Sequence, residues 1–440
     1  WQGDRSPRSM ADGKLPYNSL SGWTWQGKLN WRATPTLTMR GGTLGSADDW
    51  REYLHQYRFV AEHMPKYEDR NQSYFVSGTY QLKKNSFLNL GANFFQTERI
   101  RGDGVFFEDL KRYGRIMENE DGGLDTLSNR AMDDYSLFWS GPTDTHPGRV
   151  WDDFMKRNSS YWGIQGDWTH AWTEHNTLKL GGDFQRHTLR LYNHLFPTQA
   201  VYGLDGPGYN DVVNYGYDQT GVSEIDGDEG RFEDGAKHPI SASLYAQNKY
   251  EFGEFVVNAG LRYDHLNAKT PAIGNEDNPF QGDDRLDEGD LREAEGQDKL
   301  SPRLGIGFPV SERTVFHANY GRFYQQPNLE NLYTSYRFIE YMVRNFPYYF
   351  AFGNPNLTPE TTTAYEVGFT QAVSPKVRLD ITAYYKDVQD LVQVLNIPSS
   401  PRNFASYRNT DYGTIKGVDL NLQLLDSRGI SGSLTYSLAY

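Results

Sequence analysis

Long and short connections alternate along the whole of this chain, and few folds leave room for that pattern. Short turns are read at 32–35, 83–86, 171–176, 251–254, 309–313, 372–376 and 425–429. Between the hairpins they join lie long segments, roughly 44–71, 98–157, 191–238, 267–299, 324–360 and 396–410. A meander looks like this when one rim has tight turns and the other has elaborated loops. Long structureless loops are uncommon in compact soluble domains. Seven hairpins predict about 14 strands. An open sheet of that size is at the upper limit of what occurs, so closure is the better expectation.

The strands announce themselves by period-2 patterning. Over 415–424, Val418, Leu420, Leu422 and Leu424 alternate with Asp419, Asn421 and Gln423. Over 255–265, Phe255, Val257, Ala259, Leu261 and Tyr263 oppose Asn258, Gly260, Arg262 and Asp264. Over 87–94, Leu88, Leu90, Ala92 and Phe94 oppose Asn89, Gly91 and Asn93. One face is apolar; the other carries Gly, Asn and full charges. Such runs of about 11–14 residues exceed the usual soluble strand and suit a tilted bilayer crossing. The alternation breaks near Tyr384-Tyr385 and Val388, as at a bulge or where a strand leaves the membrane. Trp162, Trp168 and Trp172 lie near strand ends, where an interfacial aromatic girdle would sit; the bland alternative is packing under loops. No run of about 18 apolar residues occurs, which excludes a transmembrane helix but not a barrel. Aromatics at 15% and 43 glycines, with only 37% apolar residues, agree with many strands and turns.

Composition also excludes chemistry. There is no cysteine, hence no disulfide, thiolate metal site or Cys nucleophile. A net charge of −13 disfavours nucleic acid as a partner. The acids concentrate in 205–234 and 276–298, which together carry nineteen acids and three bases. The body is close to balanced. The chain opens Trp1-Gln2-Gly3-Asp4, with neither a Met start nor a signal segment, and ends within a strand pattern at Tyr440. Both ends are expected to be cut from a longer protein.

The stretch Phe352-Gly353-Asn354-Pro355-Asn356-Leu357-Thr358-Pro359-Glu360, with Glu366 and Gly368 after it, resembles the N-P-x-L-x-P-E-x-x-x-x-x-E-x-G segment of TonB-dependent outer-membrane receptors. Matching positions are Asn354, Pro355, Leu357, Pro359, Glu360, Glu366 and Gly368. Leu300–Gly305, Ala318–Phe323 and Gly413–Leu422 are similar to the same family, so the strong resemblance covers about 300–440. The prolines keep the incoming loop extended before a new crossing over 361–371, and Gly368 would permit close approach. The resemblance implies an all-β, antiparallel up-and-down transmembrane barrel in the outer membrane of a Gram-negative-type bacterium. Residues 1–440 would be a portion of a 22-stranded barrel, without the plug domain, TonB-contacting box and signal peptide that family members carry.

Other constellations stay near background. Glu224-Ile225-Asp226-Gly227-Asp228-Glu229-Gly230 is half of a calcium loop, without the bidentate Glu an EF-hand needs. A solvated acidic loop is the bland alternative to a divalent cation there. Arg101-Gly102-Asp103 spells the adhesion tripeptide, a frequent chance match. His170 and His175 flank a turn without shared geometry, and Asp133-Asp134 and Asp152-Asp153 point apart if extended. There is no HExxH or Gly-x-Ser-x-Gly. No catalytic, cofactor or metal set is assigned, and no enzyme is expected. Loop aromatics (Phe106, Phe107, Tyr113, Phe138, Trp139, Trp151 and Phe154; Tyr333, Tyr336, Tyr341, Phe346, Tyr348, Tyr349 and Phe350) could stack on a ligand or pack the loops together.

The leading expectation is a receptor that binds a scarce nutrient on its outer loops and passes it inward when the TonB complex acts on a plug. Outer-membrane lipid would surround it. The alternatives are a passive porin or adhesin on the same barrel, or a soluble all-β binding module. The long loops should share the outer rim, with 205–234 and 276–298 neighbours in a negative patch.

Overall fold

A computed structural model describes residues 15–440 apart from 58–60, 119–123, 129–150, 152, 195–196, 198–211, 219, 228–233, 282–284, 346–349 and 428. Fourteen long strands of 10 to 24 residues build one antiparallel wall in chain order. They are β1 (Ser19–Thr34), β2 (Leu37–Arg51), β3 (Lys66–Lys83), β4 (Ser86–Gly102), β5 (Phe154–Thr173), β6 (Asn176–His194) and β7 (Ile240–Phe252). Then follow β8 (Phe255–Asn267), β9 (Gln297–Ser311), β10 (Thr314–Gln325), β11 (Glu360–Ser374), β12 (Val377–Ile397), β13 (Phe404–Ser427) and β14 (Ile430–Ala439). All seven turns read from the sequence are the tight connections of hairpins, for example Phe252↔Phe255 around Gly253, whose φ of 59° needs a glycine. Antiparallel pairing then puts these turns on one rim and the long connections on the other. Among the described residues no helix is long and apolar enough to cross a membrane, a statement about helices alone.

Register sorts the side chains. Tyr263 pairs with Leu244 and Leu300, and Leu244 with Gly182, so the apolar sets of neighbouring strands share a face. Arg262, Tyr245 and Ser301 share the opposite one. The apolar face carries exposed residues from one end of the wall to the other: Leu29 is 71% accessible, Leu244 66% and Leu434 68%. An exposed apolar surface of that size is incompatible with a soluble module and marks a lipid-facing wall. Rings edge the band at both heights. On the turn side Phe255, Phe308 and Phe316 follow one another on β8, β9 and β10 at 4.9 and 5.2 Å. On the loop side Tyr320, Tyr365 and Tyr385 do so on β10, β11 and β12 at 5.3 and 6.3 Å. Trp162 and Trp172 share the apolar face of β5, ten residues apart. At about 3.3 Å per residue and a tilt of about 40°, that separation is about 25 Å, the height of an outer-membrane apolar band. Trp172 and Trp168 sit by the turn. Trp162 is mid-strand rather than terminal, because β5 continues beyond the band.

The irregularity near Val388 is a bulge: the β12–β13 register shifts between Val388 and Val392, with Asp390 at φ 63°. Among the described residues β1 pairs only with β2 and β14 only with β13, so the wall does not close on itself. The fourteen described strands thus end in two edges, which the fold class read from the sequence, a portion of a larger barrel, allows.

A one-layer wall has no interior, so the buried apolar residues lie elsewhere. They gather in the long connections. Helix α1 (Tyr336–Asn345) sends Phe338, Ile339, Met342 and Val343 into a cluster with Phe280, Leu286, Phe352 and Phe404, against which Val213 packs. These residues come from four different connections or their strand ends. A second cluster joins Leu110, Tyr113, Phe154, Tyr192 and Tyr217, and a third Leu189, Tyr215, Leu332, Tyr333 and Leu357. The loops therefore form a cap with a hydrophobic core of its own.

Candidate ligand path along the inner face

The polar face of β7–β12 bears a groove of about 980 Å³ directly on the wall. One row of register partners crosses it: Gly260, Arg303, Gly321, Ala364 and Lys386. Small residues form its floor, and the backbone positions of Arg303 and Lys386 stand about 14 Å apart, three strand spacings. Arg303 lies over the Phe323 ring at 4.8 Å and Lys386 over that of Tyr384 at 5.4 Å; neither has a carboxylate partner among the described residues. The other charges are engaged. Arg262 binds Asp264 at 2.8 Å and Asp183 at 3.3 Å, and Ser243 donates to Asp183. Lys179 is 3.4 Å from Asp167, which accepts from Asn89 at 3.2 Å. Further along the same face Arg99 forks onto Asp69 at 2.6 and 2.8 Å, Trp50 Nε1 donates to Asp69 at 2.9 Å, and the Trp50 ring stacks on Tyr67 at 3.6 Å. A surface so rich in paired charges is a wet wall that slows neither water nor a polar solute by hydrophobic adhesion.

The family-like motif divides into two groups. Its first five residues hold the rim. Asn354 donates from Nδ2 to the Tyr407 carbonyl at 3.0 Å, and its Oδ1 accepts from Asn356 N. Pro355 follows it at the turn; Leu357 is 1% exposed among Tyr333 and Leu332, and Pro359 is buried. Glu360, the first residue of β11, accepts from Val392 N at 3.2 Å. Glu366 and Gly368 lie lower, on the polar face. Glu366 accepts from Asn319 at 3.2 Å and stands 3.8 Å from His317. A Cβ at Gly368 would lie 2.5 Å from the Ile381 carbonyl and 2.7 Å from the His317 ring, so the glycine permits a close contact within the wall.

The loop aromatics pack the cap. Tyr113, Phe154 and Tyr333 are nearly inaccessible, and burial pushes the Tyr333 phenol well above its ordinary range while it donates to the Ala268 carbonyl at 2.7 Å. Tyr336 and Tyr341 pack on the α1 cluster, Trp151 on that of Tyr57 and Met64, and Phe106 on the Tyr113 cluster. Phe107 lies under Lys66 at 4.1 Å. Phe350 is 44% exposed. Phe138, Trp139, Phe346, Tyr348 and Tyr349 lie outside the described residues, as do Asp133, Asp134 and Asp152.

The adhesion tripeptide is closed off. Asp103 is fully buried, 2.9 Å from His63 Nδ1, and accepts from the amides of Val105, Phe106 and Trp151. His170 packs between Trp168 and Trp172, away from His175.

The two acidic connections do meet at the α1 cluster, which contains Phe280 and Leu286 and against which Val213 packs. Part of their charge is engaged. Arg190 holds Glu224 at 3.5 Å and also Asp226; Arg408 holds Glu276 at 2.5 Å; Asp287 and Asp290 cap one another's backbone. Arg190 and Arg408, outside both acidic segments, supply the partners of Glu224, Asp226 and Glu276, which counting within the segments could not show. Among the described residues no three His, Asp or Glu stand together as a metal site. Asp205, Asp211, Asp228, Glu229, Glu233, Asp283 and Asp284 lie outside them.

The wall has counterparts of known structure. It superposes on the ferric enterobactin receptor PfeA from Pseudomonas aeruginosa with a TM-score of 0.58 at 16% identity, over 99% of this chain and 54% of that one. With the FrpB iron transporter of Neisseria meningitidis the TM-score is 0.58 at 12% identity, over 99% and 56%. With the copper transporter OprC it is 0.57 at 11%, over 96% and 53%. Likenesses at such identities show the fold. In sequence, 117 residues are 30% identical to the vitamin B12 transporter BtuB of Vibrio vulnificus, 27% of this chain and 16% of that protein. The chain thus spans about half the length of the structures it matches, and far less of that relative. The family model described as TonB dependent receptor-like, beta-barrel, matches residues 44–440, from within the first hairpin to the last strand. The chain belongs to that family, one of outer-membrane receptors and not of enzymes.

Proposed function

We propose that the protein of which this chain is a part is a TonB-dependent transporter that binds a scarce nutrient at the capped long-loop rim and conducts it along the polar inner wall to the periplasm. The observation that carries this reading is the pairing of a packed cap with a wet, groove-bearing wall beneath it. A bare porin has no need of a hydrophobic core in its loops. The long loops then face outward and the hairpin turns face the periplasm. In this reading the fourteen strands are part of a 22-stranded barrel. A plug domain outside this chain meets the TonB complex, and the 354–360 part of the motif braces the rim where ligand enters. The relatives named above act, by their names, on iron, copper, ferric enterobactin or vitamin B12, and this reading takes metal chelates and corrinoids as the first nutrients to test.

Growth of a deletion strain on iron chelates, cobalamin, glycans and peptides is the direct test. A selective uptake defect on one of these is expected; wild-type uptake of all four overturns the transport reading. Bilayer conductance of the full-length protein distinguishes a plugged receptor, nearly silent, from a porin with steady conductance. A divalent cation at the acidic loops is the further partner the sequence suggests. Calcium titration of the wild type against a combined Asp226→Asn, Asp228→Asn, Glu229→Gln variant tests it, and equal binding removes it.

A further inference from the structure

Between the polar face of the wall and the cap lies a cavity of about 420 Å³. Rings on three successive strands form a ladder along it. Phe95 of β4 pairs with Tyr161 of β5, and Tyr161 with His187 of β6, with ring centroids 5.8 and 5.1 Å apart. Leu189 and Tyr215, both buried, and residues 328–330 of the cap line it too. Leu329 packs on the cluster of Leu189, Tyr215 and Leu332, which fixes this piece of the cap against the wall.

Two charges of opposite sign line the same cavity, Arg157 on the wall and Glu330 on the cap. Arg157 lies four residues from Tyr161 on the same face of β5, toward the cap, with Ser159 between them. It pairs with Leu191, and Leu191 with Tyr215, so its backbone position is two strand spacings, about 10 Å, from that of Tyr215. Burial pushes the Tyr215 phenol above its ordinary range; Glu330 raises it further and Arg157 opposes, so both charges act on one hydroxyl. Neither charge has an ion-pair or hydrogen-bond partner among the described residues, and they do not pair with each other. Neighbours on this face are matched. Arg99, beside Arg157 in register, forks onto Asp69, and Arg101 holds Asp153 at 2.6 Å. An unpaired cation and an unpaired anion held apart in one cavity complement a ligand that carries both signs. A guanidinium takes a carboxylate as a planar fork, and a carboxylate takes an ammonium. The ladder, nearer the middle of the wall, offers ring faces and edges to a flat side chain.

We propose that this cavity binds a zwitterion of the amino-acid or short-peptide type, with its carboxylate on Arg157, its ammonium on Glu330 and an aromatic side chain on the rings of Phe95, Tyr161 and His187. Such a site rests on the transport reading above and gives the chemical class of the group that the nutrient presents there.

The test is isothermal titration of the full-length protein in detergent with three probes: the dipeptide glycyl-tryptophan, its N-acetyl form without the ammonium, and its C-terminal amide without the carboxylate. Wild type should bind the free dipeptide about tenfold more tightly than either blocked form, the scale of one charge-assisted hydrogen-bonded contact. Arg157→Gln should bind the free dipeptide and the amide alike while still rejecting the acetylated form. Glu330→Gln should do the reverse. Glu330 is exposed, so its variant keeps the test open if Arg157→Gln does not fold. No binding of glycyl-tryptophan by the wild type, or the same three affinities in wild type and both variants, overturns the proposal. Uptake is scored separately in the deletion strain. A selective uptake defect without dipeptide binding overturns this site alone, whereas dipeptide binding beside wild-type uptake of all four nutrients overturns the transport reading and leaves the zwitterion site standing.

Discussion

The side-chain amide of Asn354 donates to the main-chain carbonyl of Tyr407 across 3.0 Å, tying the loop before β11 to the start of β13. Asn409, two residues beyond Tyr407, completes the tie. Its Nδ2 donates to the carbonyls of Thr358 and Asp390 at 2.9 and 2.7 Å, and its Oδ1 accepts from Thr358 N at 2.9 Å. Two asparagines thus stitch three strand ends together at the rim where the family-like motif lies.

These ties should be separable from the wall. Asn409→Ala leaves backbone groups of Thr358 and Asp390 unpaired, at about 1–3 kcal/mol, and Asn354→Ala should cost less because it frees one carbonyl. Hydrogen exchange over 326–359 should quicken in both, more in Asn409→Ala, while the strands stay protected. Uniform loss of protection through the wall would show that the cap is no separate unit.

Glycines on the wall differ in what they permit. Gly368→Val drives a side chain into the Ile381 carbonyl and the His317 ring, and should destabilise by about 1–3 kcal/mol. Gly78→Ala meets nothing within 4 Å and should be neutral or slightly stabilising. Thermal unfolding in detergent should rank them so, and equal melting temperatures would remove the packing role of Gly368.

The two faces should respond oppositely to charge. Leu244→Arg puts a cation into the lipid band and should cost about 2–4 kcal/mol of folding into vesicles. Gln247→Arg, on the polar face three residues away, should change little. If both cost the same, the assignment of faces is wrong.

Topology can be read with thiols, since the chain has no cysteine of its own. Val222→Cys, on an exposed loop position, should react with an impermeant maleimide on intact cells, and Lys84→Cys at a hairpin turn should not. The reverse pattern would invert the orientation.

The wall was legible in the sequence because a strand's side chains alternate with a period of two, and that is a local property. Val418 to Leu424 and Phe255 to Tyr263 declare their faces without reference to any neighbour, and every turn joining a hairpin lies where its short polar break occurs. What joins one strand to the next is not local. The row from Gly260 through Arg303 and Gly321 to Lys386 exists only because four separate pairings share a register, and shifting any of them by one residue would carry its strand's charges to the lipid face. The same holds for the cap. The sequence shows aromatics and acids in the long connections, but burial of Asp103 and neutralisation of Asp226 depend on partners 40 and 36 residues away. Alternation determined the strands and their two faces; only the tertiary structure decided which charges remain unpaired, because pairing is settled between strands and loops that no local pattern relates.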